Sequence, residues 1–312
     1  MKVSVALCTY NGEQYLSDQL DSIMNQTVLP DEIIICDDRS TDTTIEILNA
    51  YQSKFPEIFK IFVNENNLGF VKNFEKAIYL CSHEVIIISD QDDIWEQDKV
   101  SKTVHFFENN AGFDGVFHDL KLMDEETTLP SYLNWKNISH ETIKKEIREG
   151  ELFTALVVKG SFILGCCLAI RKEALKKYEL KDFQVAHDYF IVQKLSMKNT
   201  LGFIPQSLSS YRLHSNQVYG LRYKSEDTSE QTEASESRQY FKNHVYSYLI
   251  ALKRAEELFP NENIKRTDLY SKFISHRNIY LNKMSFAEKK IYIAKCIRHK
   301  YLDLQPADLF KI

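Results

Sequence analysis

The sequence predicts an α/β fold, with a mostly parallel sheet flanked by helices and a helical C-terminal extension. Three observations carry that prediction. The first 120 residues alternate short β-branched apolar runs with segments of helical period, joined by short connections. A βαβα alternation implies parallel strands covered on both faces, because each crossover lays a helix on the sheet. The apolar runs also end in polar, carboxylate-rich stretches, which places negative charge at the strand ends where open α/β sheets bind ligands.

Each element follows from its residues. Residues 3–8 read as a strand, and residues 13–25 as a helix with Leu16, Leu20 and Ile23 on one face. Residues 32–36 form a buried strand, and Ser40 or Thr41 caps a helix over 43–51. A third strand spans 59–63, and a helix over 70–81 is entered through Gly69. The fourth strand spans 85–89 and is followed by a helix over 99–109. Beyond that the pattern loosens. Residues 116–123 read as a strand pair or an extended edge, 127–149 as a polar stretch carrying a helix, and 152–158 as a short apolar segment. A strand over 162–170 passes through Gly165, with helices over 172–178 and 185–197 and a strand over 201–204. Residues 221–238, rich in Ser, Glu, Thr and Gln, read as a mobile loop or linker. The expected organisation is a domain over 1–220, that linker, and helices over 239–312.

Composition narrows the function classes. The 312 residues carry a formal net charge of −5, which argues against nucleic acid as a partner. The tail is different: residues 265–312 hold eleven Lys/Arg against four Asp/Glu. Within it, residues 286–301 place Ile291, Ile297 and Tyr301 among Lys289, Lys290, Lys295, Arg298 and Lys300. That pattern suits a basic amphipathic helix lying on a membrane, or equally a helix packed on the domain with a solvated basic face. The six cysteines include no CxxC pair, so buried free thiols in a reducing cytoplasm are expected. The chain starts directly in a strand without the apolar core of a signal peptide, and no apolar run approaches a membrane span. The expected location is the cytoplasm, with peripheral contact at the inner face of the cell membrane through the basic helices.

The densest chemical signal is Ser89-Asp90-Gln91-Asp92-Asp93-Ile94-Trp95, which packs three carboxylates into four positions directly after a buried strand. Carboxylates this close repel unless a cation sits among them, and hard oxygen donors suit Mn²⁺ or Mg²⁺. The bland alternative is an acidic helix start favoured by the macrodipole. Two further strand ends share the edge: Thr9-Tyr10-Asn11-Gly12-Glu13 and Asp37-Asp38-Arg39-Ser40-Thr41-Asp42. Alone, each would be a turn or a helix cap.

Taken in order with Asn66-Asn67-Leu68-Gly69-Phe70, these motifs resemble the inverting GT-A glycosyltransferases of family 2. Gly165-Cys166-Cys167-Leu168-Ala169-Ile170-Arg171, His187-Asp188-Tyr189-Phe190 and Tyr211-Arg212-Leu213-His214-Ser215-Asn216 complete the resemblance, which covers roughly residues 2–220. Within the family the chain looks most like bacterial rhamnosyltransferase-type enzymes of polysaccharide assembly. The resemblance implies a GT-A-like nucleotide-diphospho-sugar transferase fold, a nucleotide-sugar donor, a glycan acceptor on a lipid carrier, and Mn²⁺ or Mg²⁺ as cofactor. The leading donor is dTDP-rhamnose, with UDP-hexoses behind it.

The resemblance also implies roles for single residues. Asp38 would accept from the imide N–H of the base, and Tyr10 would offer it a flat face. Thr9, Asn11, Glu13, Gly69, Asp90, Gln91 and Arg212 would line the nucleotide-sugar site, Arg212 as a phosphate partner. Lys72 and Asn73 would reach toward the nucleotide, although a surface lysine is the plainer reading of Lys72. Asp92 would bind the metal, with Asp93 as a near alternative. His214 would complete the metal shell or bind the diphosphate, or be a structural surface histidine. Asp188 would be the general base, since inversion needs one carboxylate to take the acceptor proton; its alternative is a helix N-cap. His187, Gly165 and Trp95 would contact acceptor or sugar, with a hydrogen-bonding neighbour and a bulge as the alternatives for the first two. Two rival classes compete. A nucleotidyltransferase would carry a Gly-rich basic loop after the first strand, absent here. A non-catalytic glycan- or nucleotide-binding module would not need Asp188.

Overall fold

The structure, a computed structural model, describes residues 1–124, 128–214 and 247–282. The expected linker and the basic segment 286–301 lie outside the described residues. The chain divides into two compact units, Met1–Leu152 with Ser161–Tyr223, and Phe153–Gly160 with Lys224–Ile312.

The first unit is built on a mixed sheet. Its opening half is the predicted βαβα alternation: β1 (Val3–Thr9), α1 (Leu16–Met24), β2 (Glu32–Asp37), α2 (Thr44–Lys54), β3 (Phe59–Val63), α3 (Phe70–Leu80) and β4 (Val85–Ser89). β1, β2 and β4 are buried along their whole length, as expected for near-continuous Val/Ile/Leu runs covered on both faces. The four strands run parallel in the order β3-β2-β1-β4. Register holds their ends level: Thr9 pairs with Asp37, and Leu7 with Ser89. The three polar strand ends therefore share one edge of the sheet.

The second half departs from the expected elements. β5 (Ile94–Trp95), α4 (Lys99–Asn109), β6 (Gly115–Met123), β7 (Thr128–Leu129), α5 (Tyr132–Trp135), α6 (His140–Glu149), α7 (Leu152–Lys159), β8 (Leu168–Arg171), α8 (Lys172–Lys177), α9 (His187–Met197) and β9 (Leu201–Arg212) follow, with α7 beyond Leu152 belonging to the second unit. Among the described strands the sheet order continues from β4 through β8, β6 and β9 to β5, with β7 on β6. β6 is an interior strand rather than an edge, hydrogen-bonded antiparallel to β8 and parallel to β9. The strand expected over 162–170 is instead a 3-10 turn at Gly165–Cys167 leading into β8.

β9 runs eight residues past the expected end at Ile204. Pro205 cannot donate to a ladder and so reads as a stop. Here it sits with Gln206 on an exposed bulge: Ile204 faces His118, and the pairing resumes at Ser207 opposite Asp119. A bulge removes the proline from the ladder without ending the strand. The continuation carries Arg212 back beside the acidic strand end.

A core of Leu7, Leu16, Leu20, Ile33, Ile35, Leu48, Ile87, Trp95 and Phe107, among others, lies under the sheet. The five described cysteines are buried and free. In the second unit α10 (Ser247–Leu258) and α11 (Asp268–Asn282) bury Leu249, Leu252, Ala255, Leu269 and Phe273, and Thr154 Oγ1 donates to Asp268 Oδ2 at 3.2 Å. Among the described residues no helix is long and apolar enough to cross a membrane.

Candidate active site

Two loops close the first part of the edge by reciprocal hydrogen bonds. The Asn11 and Glu13 amides donate to Ser40 Oγ and Asp42 Oδ2. In return Asn11 Oδ1 accepts from the Thr41 amide at 2.8 Å, and Glu13 Oε2 from the Thr43 amide and hydroxyl. Asn11 (φ 46°) and Arg39 (φ 66°) both adopt the left-handed region that this lacing demands. Asp37 is buried and accepts from Thr9 Oγ1 and from Ser40, so Thr9 is a structural tie. Tyr10 is 43% exposed, with its backbone clamped by the Gln91 amide: Tyr10 N–H donates to Oε1 at 2.8 Å, and Gln91 Nε2 donates to the Tyr10 carbonyl at 3.2 Å. Gly12 leaves room for this clamp, since a Cβ there would force the Gln91 amide to shift.

Asp38 is buried at the end of β2. Its carboxylate accepts from Asn64 Nδ2, the Leu68 amide and the Gly69 amide at 2.7–2.9 Å. Gly69 reaches it with φ 76°, a backbone state that explains the glycine. Asp38 therefore organises the 64–69 loop: Oδ1 accepts twice, while Oδ2 accepts only from Gly69 and keeps a lone pair that a base could use.

The acidic strand end is the electrostatic centre. Asp93 is fully buried; Oδ1 accepts from the Arg212 amide at 3.2 Å, and Oδ2 has no partner among the described residues. Burial first, then the Asp92 charge, pushes its carboxyl up to about 7. Asp90 is raised well above the carboxylate range by burial, with Asp93, Asp92 and Asp188 adding repulsion. Asp92 faces His214, whose Nε2 lies 2.9 Å from Oδ2. Tyr15 holds this second wall: its ring is 4.8 Å from that of His214, and the Arg212 guanidinium sits 4.4 Å over it. Arg212 also donates to the Asp92 carbonyl and to Asp18 Oδ2.

A carboxylate oxygen and an imidazole nitrogen meeting at 2.9 Å are donor types that a hard divalent cation accepts. A second set, one donor atom each from Asp90, Asp93 and Cys166, lies within 4.8 Å. Burial raises the Cys166 thiol well above its usual range, which disfavours the thiolate a metal would need.

The description "Glycosyl transferase family 2" matches residues 4–179. An uncharacterized glycosyltransferase of Haemophilus influenzae is 31% identical over 225 residues, 69% of this chain and 67% of that one. The chain belongs to glycosyl transferase family 2. The dTDP-rhamnosyl transferase RfbG of Shigella flexneri is 29% identical over 227 residues, 69% of this chain and 73% of that one. Across such relatives this glycosyltransferase spans 61% to 73% of their length. In fold it is similar to S. aureus TarS 1-349, with a TM-score of 0.57 at 16% identity over 94% of this chain and 78% of that one. The GT-A fold expected from the motifs is thus the fold observed.

Several expected contacts of the family 2 site are engaged elsewhere. Asn73 is buried and spends its amide on the Cys36 carbonyl and Asn64, so it does not reach toward a nucleotide. Lys72 pairs with Glu75 at 2.6 Å on the surface of α3, the plainer of its two readings. Trp95 is 3% exposed within the core cluster, which removes its ring from acceptor or sugar. Its apolar bulk fits the core better than an open cleft.

Asp188 lies in the first turn of α9 and accepts from the Tyr189 amide at 2.7 Å. His187 beside it is buried, stacked on Phe74 with ring centroids 3.9 Å apart, and neither ring nitrogen has a partner among the described residues. Burial lowers its basicity. Gly165 gives this pair room: a Cβ there would stand 2.8 Å from His187 Nε2 and 3.5 Å from Asp188 Cβ. Sequence reasoning missed Tyr15, Asp18 and Lys99, which join the edge only through folding.

Proposed function

We propose that this glycosyltransferase moves a sugar from a nucleotide-diphosphate donor to a hydroxyl of a glycan acceptor, with inversion, in cell-surface polysaccharide synthesis. dTDP-rhamnose is the first donor to consider, in line with the relative from Shigella flexneri, and a UDP-hexose the second. One observation carries the reading: the carboxylates stand in two stations. Asp90, Asp92 and Asp93 follow β4, while Asp188 starts α9 and is near enough to add to the raised Asp90.

In this scheme Asp188 takes the proton from the acceptor hydroxyl as its oxygen attacks the anomeric carbon. Asp92 and His214 would hold Mn²⁺ or Mg²⁺, and the ion, when bound, supplies a Lewis acid for the departing diphosphate. Arg212 steadies the Asp92 backbone, and Tyr10 presents its exposed ring to the base. Asp90 orients the sugar nucleotide. The acceptor is a lipid-linked glycan at the inner face of the cell membrane, approached through the basic segment 286–301.

The test uses a panel of dTDP-, UDP- and GDP-sugars with MnCl₂ and a lipid-linked acceptor, comparing wild type with Asp188→Asn. Donor binding by calorimetry should survive the substitution while transfer falls by roughly 10² or more. Transfer at the wild-type rate in Asp188→Asn would sink the assignment of the base.

A further inference from the structure

Among the described residues, the buried Asp38 carboxylate takes its hydrogen bonds from neutral donors: Asn64 Nδ2 and the Leu68 amide on Oδ1, the Gly69 amide on Oδ2. A cation stands one hydrogen bond further out. Lys76 on α3 donates its ammonium to Asn64 Oδ1 at 2.7 Å, and Asn64 Nδ2 donates to Asp38 Oδ1 and to Asn73 Oδ1, both at 2.8 Å. Asn73 Nδ2 in turn donates to the Cys36 carbonyl at 2.8 Å. Asn64 is itself buried, with its backbone amide on the Asp37 carbonyl.

This chain of amides is one-way at both ends. An ammonium only donates and a carbonyl only accepts. Lys76 therefore requires the oxygen of Asn64 on its side, and Cys36 requires the nitrogen of Asn73. Between those ends each amide has a single orientation, in which Asn64 offers a donor to Asp38. Asn64 and Leu68 fill Oδ1, and the open lone pair stays on Oδ2.

We infer that Lys76 and Asn64 are positioning residues that decide how Asp38 reads the base of the donor. They leave Oδ2 as a pure acceptor, which fits a base presenting a ring N–H, as uracil, thymine and guanine do. Cytosine presents a lone pair at the matching ring nitrogen and is refused. The inference rests on the reading of Asp38 as the residue that meets the base. It gives Lys76 no contact with substrate.

The experiment is calorimetric titration of UDP, dTDP, GDP and CDP with MnCl₂ into wild type, Lys76→Met and Lys76→Arg. Lys76 is half-buried on a helix and methionine is a good helix former, so the first variant keeps the fold. Lys76→Met should weaken the preferred ring N–H nucleotide by roughly three- to tenfold and CDP hardly at all, so discrimination narrows. Lys76→Arg, which keeps a cationic donor, should restore most of it. With the matching sugar nucleotide, donor KM should rise while kcat holds. A merely structural loosening would weaken all four nucleotides alike, and that result, or unchanged discrimination, would overturn the inference while leaving the donor reading intact. Wild type that binds none of the ring N–H nucleotides would overturn both.

Discussion

His214 Nε2 meets Asp92 Oδ2 at 2.9 Å across 122 residues of chain, joining the end of β9 to the end of β4. The pair has the donor chemistry of a divalent metal site, and its geometry depends on Tyr15 and Arg212. His214→Ala should weaken Mn²⁺ binding by roughly ten- to a hundredfold, with fold and metal-free Tm little changed. Calorimetric Mn²⁺ titration checks it; unchanged affinity would return His214 to a structural role.

Gly165 predicts a different failure. Gly165→Ala places a methyl against His187 Nε2 and near Asp188 Cβ. Overpacking of this kind costs about 1 to 3 kcal/mol. Because the displaced group is the start of α9, kcat should fall more than donor affinity. Steady-state kinetics with separate donor and acceptor titrations show the split.

The Gln91 clamp makes a third prediction. Gln91→Ala removes both hydrogen bonds to the Tyr10 backbone and frees the strand end that carries the exposed ring. Donor KM should rise by about tenfold with kcat nearly constant, on a loss of about 1 to 2 kcal/mol. A fall in kcat at unchanged KM would contradict it.

Acid stability is the fourth. Glu32 is buried, which alone would raise its carboxyl, but hydrogen bonds from Lys60, Ser4 and Ser82 outweigh burial and hold it down to about 2. A carboxyl lowered on folding contributes stability that is full above its unfolded value of 4.5 and fades as pH falls toward 2. Glu32→Gln should therefore lose roughly 2 to 3 kcal/mol at pH 7 and show a flatter stability profile between pH 4.5 and 2. Denaturant titrations across that range measure it.

Much of the first half was readable in advance, for a physical reason. Buried parallel strands must be unbroken Val/Ile runs, and their helices must repeat at 3.6 residues, so β1 to β4 and α1 to α3 appear in the residue order itself. The second half was less readable because its strands pair out of order and one contains a proline. Pro205 marked an end that the bulge turned into a detour. Asn73 and Trp95 looked like site residues from their place beside motifs, yet tertiary packing consumes the amide of one and the ring of the other.

By itself the sequence determined the family, the parallel half of the sheet and the edge on which its carboxylates gather. Those depend on local periodicity and on motifs in order along the chain. Only the tertiary structure decided that Asp92 faces His214, that Asp38 ties down the 64–69 loop, and that Lys99 is buried against the Cys166 carbonyl and Ser209. Those depend on which strands become neighbours and how deeply each charge is taken from water, and neither is written in residue spacing.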